Sequence, residues 1–140
     1  MRLLMPALAL AVCTPALAQH DAARTAADAC PKAVEVDRDH LLGIWRAEFE
    51  GLPQGATLLL EPHPELAGSV GGAINRNGDR ARLAGDVDEG EFTLEESVNG
   101  TNISAVWLGD VVEGSCGREI RGTWRAEGKA GRWPFVLRKQ

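Results

Sequence analysis

From Trp45 to Leu137 apolar side chains recur at every second position, in short runs separated by turns. Trp45, Ala47 and Phe49 share one face against Arg46, Glu48 and Glu50. Leu58 and Leu60 follow a Gly-bounded turn over 51–55, and Leu66, Val70 and Ile74 fall in phase before an Asn75-Arg76-Asn77-Gly78 turn. Ala81, Leu83 and Val87 oppose Arg80, Arg82 and Asp86, and Phe92 and Leu94 oppose Thr93 and Glu95. After the hairpin signal Asn99-Gly100 come Ile103, Ala105 and Trp107, then Ile120 and Trp124 against Arg121, Thr123 and Arg125. Trp133, Phe135 and Leu137 close the series against Pro134, Val136 and Arg138. A period of two is the period of a strand with one wet face and one buried face. The pattern predicts about eight antiparallel strands joined in sequence. Such a meander loses its exposed edges by closing on itself. The expected fold is therefore all-β: an eight-stranded antiparallel up-and-down barrel, with a two-sheet sandwich as the rival. Gly68, Gly72, Gly85, Gly109 and Gly122 fall on the apolar phase, where the absent side chain permits tight coiling.

All 16 glycines lie after residue 42. That divides the chain into a glycine-rich body, 43–140, and a short helical N-terminal arm, 19–42. The arm offers one helix over 21–29, ended by Pro31, and a second turn capped by Asp37 or Asp39 that carries Leu41 and Leu42. Residues 1–18 read as a cleaved secretory signal peptide: Arg2, an apolar run too short to span a bilayer, and Ala16-Leu17-Ala18 before Gln19. The expected location is periplasmic or secreted. Cleavage removes Cys13 and leaves Cys30 and Cys116, an even count that implies one disulfide in an exported chain. The net charge of −5 argues against nucleic acid and anionic membranes as partners.

Leu41-Leu42-Gly43-Ile44-Trp45 resembles the Gly-x-Trp opening of the lipocalin and avidin-like (calycin-type) barrels. In these a helical turn leads into the first strand and its Trp packs across the barrel base. Lipocalins stack an Arg of the last strand on that Trp, so the resemblance implies that Arg138 closes the barrel over Trp45. Length, barrel and single disulfide are also similar to bacterial periplasmic inhibitors of metalloproteases. Their N-terminal arm enters the target's cleft, a part that Gln19 to Cys30 would play here. Biotin binding is not implied, because the chain has no Tyr and no Asn closely follows Trp45.

Motifs for catalysis are missing. His20, His40 and His63 sit in no H-E-x-x-H or G-x-S-x-G context, and no phosphate-binding glycine loop is present. The run Glu61-Pro62-His63-Pro64-Glu65 offers metal-ligand chemistry, but flanking prolines make it an extended turn whose donors do not converge, so no metal is expected. No cofactor is expected either. Glu96 follows Phe92 and Leu94 onto the apolar face, where a carboxylate needs a partner. Trp107 and Trp124 share that face and can line a pocket while offering an N–H. The expected function is a non-enzymatic binding protein that holds a small apolar or amphipathic ligand in the barrel mouth, with Trp107, Trp124 and Glu96 as contacts. The alternative is an inhibitor or adaptor that meets another exported protein through its arm or loops.

Overall fold

A computed structural model describes residues 30–140. The signal peptide assigned to 1–18 and the helix expected over 21–29 lie outside the described residues. Eight strands form: β1 (Gly43–Phe49), β2 (Ala56–Pro62), β3 (Val70–Arg76), β4 (Asp79–Asp88), β5 (Glu91–Ser97), β6 (Ala105–Val111), β7 (Glu119–Ala126) and β8 (Trp133–Lys139). Each pairs antiparallel with the next, and β8 returns to β1. The result is a closed barrel in sequential order, consistent with a calycin-like fold. Closure pairs every strand on both sides and leaves no sheet edge.

The alternation becomes the inside and outside of this barrel. Trp45, Trp107, Leu58, Leu94, Ile120 and Leu137 are all fully buried, while the residues between them face out. Leu66 and Ile103 depart from expectation. Both precede their strands, lie in loops and are exposed, because β3 starts only at Val70 and β6 only at Ala105.

Ahead of β1 lie a 3-10 turn (Ala33–Glu35) and a one-turn helix, α1 (Arg38–Leu41). Asp37 caps α1: its carboxylate accepts from the backbone N–H of Asp39 at 3.0 Å and of His40 at 3.3 Å. Slight burial works to raise the Asp37 pKa, but the hydrogen bonds and charge of His40 and the Asp39 amide prevail and hold it below the usual value. A lowered carboxyl pKa means the cap contributes above the normal carboxyl range and fades as pH falls through the folded value. Asp37→Ala is expected to cost about 1 kcal/mol at neutral pH, with less difference from the native protein in acid. Urea unfolding at several pH values checks both.

α1 covers one end of the barrel, the end where β1 begins. Leu41 is fully buried there, and the Trp45 indole donates to its carbonyl at 2.7 Å. The expected stacking of Arg138 on Trp45 is corrected. In register Arg138 faces Arg46, one residue beyond Trp45, and so points outward. Its guanidinium binds Glu119 at 3.0 Å and Glu48 at 3.4 Å instead. The residue opposite Trp45 is Lys139, whose ammonium donates to the His40 carbonyl at 2.8 Å. Burial, and then repulsion from Arg118, lower the Lys139 pKa.

Cys30 and Cys116 form the expected disulfide, which fits an oxidising, exported setting. It joins the strap that precedes α1 to the β6–β7 loop. Ala33 N–H reinforces this, donating to the Glu113 carboxylate of the same loop at 3.0 Å. The strap therefore runs over the α1 end, on the side of β6 and β7.

Glycine is required where strands approach most closely. A Cβ on Gly122 would sit 2.0 Å from the Leu108 carbonyl oxygen and 2.4 Å from the Gly109 Cα, both backbone atoms that cannot swing away. A Cβ on Gly71 would meet nothing closer than 3.5 Å. Gly122→Ala is expected to lose about 2–3 kcal/mol by overpacking, and Gly71→Ala well under that. Thermal unfolding of the pair checks the contrast.

Candidate functional site

The end opposite α1 is the mouth, ringed by the β1–β2, β3–β4, β5–β6 and β7–β8 connections. Three residues expected to contact a ligand meet here. Glu96 lies on the inward phase of β5 and is only 3% exposed. Trp107 on β6 and Trp124 on β7 face each other in register and also point inward. Both indoles donate to Glu96 Oε1, at 2.8 Å from Trp107 and 3.0 Å from Trp124.

A fourth residue completes the group. Arg76 ends β3 on the same phase as Ile74 and reaches across β4, where the small Ala81 lies between Asp79, opposite Arg76, and Leu83, opposite Glu96. Its guanidinium grips both carboxylate oxygens, at 2.7 Å to Oε1 and 3.2 Å to Oε2. It also lies 4.9 Å from the Trp124 ring centre and 5.8 Å from that of Phe49, within cation–π range. Phe49 in turn packs on Trp107 and Trp124. A buried carboxylate is tolerated only when paired and hydrogen-bonded, and Glu96 has both. Glu96, Trp107 and Trp124 thus bond to one another and to Arg76, and together they fill the mouth.

Alternation parity was enough to bring Glu96 inward. The same parity applied to Arg76, two residues after Ile74, but the turn signal at 75–78 concealed it. No group of three or more His, Cys, Asp or Glu side chains converges as a metal site among the described residues. In the Glu61–Glu65 run, His63 Nδ1 instead accepts the backbone N–H groups of Glu65 at 3.1 Å and Leu66 at 3.0 Å. That role is structural: the ring shapes the β2–β3 loop.

The sequence matches no protein-family model and no curated protein.

A second concavity lies on the outside. A groove of about 770 Å³ runs over β2–β5, from the loop at Pro62–Glu65 to the loop at Gly100–Ile103. Its floor includes Leu59, Ala73, Arg82 and Ala84. No described helix is long and apolar enough to cross a membrane.

Proposed function

We propose that the protein is an exported, non-enzymatic binding module that uses its barrel as a rigid, filled scaffold and meets a protein partner with its outer surface. The reading is carried by the occupied mouth, where Arg76, Glu96, Trp107 and Trp124 satisfy one another. Small eight-stranded barrels are either packed with side chains or hold one ligand, and this mouth has the first character. The resemblance to lipocalin-like barrels and periplasmic inhibitors supports export and a role in binding. The disulfide anchors Cys30 at the α1 end of the barrel, opposite the mouth.

One observation favours the second reading, a small amphipathic ligand in the mouth. The Arg76 side chain is 25% exposed and its Nε has no hydrogen-bond partner among the described residues, so it is the member a ligand would displace. Tryptophan emission separates the two. Under the surface reading, titration of the native protein with decylamine or an anilinonaphthalene sulfonate leaves the emission unchanged. A saturable shift that Trp124→Leu abolishes would establish the mouth as the site instead.

A further inference from the structure

We propose that the outer groove over β2–β5 docks an extended, basic segment of the protein partner. This rests on the surface reading above and names the chemistry that surface recognises.

The outside of a barrel is normally convex. Here two cross-strand rows and two loops make it concave. One row runs Glu61, Gly71, Ala84, Glu95 across four strands, and the next runs Leu59, Ala73, Arg82, Ser97. The first row has glycine and alanine between two carboxylates, with His63 lying over Gly71. Three strand spacings separate Glu61 from Glu95, about 14 Å between Cα atoms, and the open part lies over Ala84 and the neighbouring row. The loops at Pro62–Glu65 and Gly100–Ile103 form the end walls.

The charge of the groove selects the occupant. Glu61, Glu65 and Glu95 line it against a single arginine, and none of the three carboxylates is in an ion pair among the described residues. Arg82 packs towards Gly100, whose Cβ position lies 3.1 Å from its Nη1. A cation is therefore drawn to the Glu61–Glu95 row, while Arg82 is placed to donate to a backbone carbonyl of the partner. Leu59 and Ile103 are both more than 40% exposed and offer apolar seats for flanking side chains. His63, with Nδ1 accepting two backbone amides, keeps its ring N–H on Nε2 as a further donor at the rim. The closed barrel has no free edge for a strand to join, so recognition must run through side chains of this kind.

A second acidic row supplies the internal control. Asp88, Glu91 and Asp110 stand directly opposite one another on β4, β5 and β6, all exposed, and Arg121 follows Asp110 in register. Each set has three carboxylates and one arginine, so charge alone does not choose between them; the groove adds shape and apolar contact.

The test uses the full chain, labelled with nitrogen-15, and a capped seven-residue peptide of sequence Ala-Leu-Lys-Ala-Leu-Lys-Ala, with a version carrying Glu for Lys. The lysine peptide is expected to shift the amides of Ala73, Ala84, Glu95 and Ile103. Glu61→Gln with Glu95→Gln, both at exposed positions, is expected to weaken it roughly tenfold, the effect of losing two surface charge contacts. The proposal is overturned by shifts centred on Asp88, Glu91 and Asp110, by equal binding of the glutamate peptide, or by a double variant that binds as well as the native protein. A silent groove with unmoved tryptophan emission removes this assignment and leaves the surface reading standing. Emission that moves saturably with decylamine removes the surface reading itself.

Discussion

Glu96→Ala is expected to lower folding stability by about 3–5 kcal/mol, because it breaks a buried ion pair by removing one partner. The loss has three parts. The Arg76 guanidinium keeps its place over Trp124 and Phe49 but has no counter-charge. The Trp107 and Trp124 N–H groups lose their shared acceptor, and an unpaired buried donor costs about 1–3 kcal/mol. A void opens between aromatic rings that now pack on one another. Glu96→Gln keeps an acceptor for the indoles and most of the volume, so it is expected to cost less than Glu96→Ala. Urea midpoints of the two variants give the comparison. A loss below 1 kcal/mol for Glu96→Ala would mean the mouth does not depend on its carboxylate.

Removing the disulfide with Cys30→Ser and Cys116→Ser is expected to cost about 4–5 kcal/mol. The bond spans 86 positions of sequence, and the chain-entropy model assigns that size to a closed loop of this length. The strap also makes native contacts of its own. Ala33 bonds to Glu113, and Val36 is buried in the core and lies 3.0 Å from the position a Gly117 Cβ would take. These contacts hold the strap with or without the bond, so most of the effect should come from the freedom gained by the unfolded chain, and reduction by dithiothreitol should reproduce it. If the variant instead loses less than 1 kcal/mol, the bond is a local tether for the strap and not a staple of the barrel.

The fold was legible because alternation is local. Each strand could be read from its own residues, and the short turns fixed antiparallel neighbours. Where a motif and the alternation disagreed, the alternation was right. Arg138 falls on the outward phase with Pro134 and Val136, so the stacking implied by family resemblance conflicted with the chain's own pattern, and Lys139 holds the inward position. Leu66 and Ile103 were misplaced because periodicity does not mark where pairing begins. It begins at Val70 and Ala105, and the residues before them are free to enter loops.

The candidate site was partly legible for the same reason. Parity put Glu96, Trp107 and Trp124 on one face, but local sequence holds no information on which strands become neighbours in depth. The partner of Glu96 lies 20 positions earlier, on a strand that does not pair with its own. The outer groove is less visible still. Its carboxylates come from β2 and β5 and become a row only through the registers of three successive strand pairs.

Hydrogen exchange of the indole N–H groups, followed by NMR, tests the central claim most directly. With the mouth filled as described, the Trp107 and Trp124 indole protons exchange orders of magnitude more slowly than an exposed indole, as does Trp45 at the opposite end, and Glu96→Ala speeds Trp107 and Trp124 more than it speeds Trp45. Rapid exchange of Trp107 and Trp124 in the native protein, beside a protected Trp45, would show an open barrel and contradict the account.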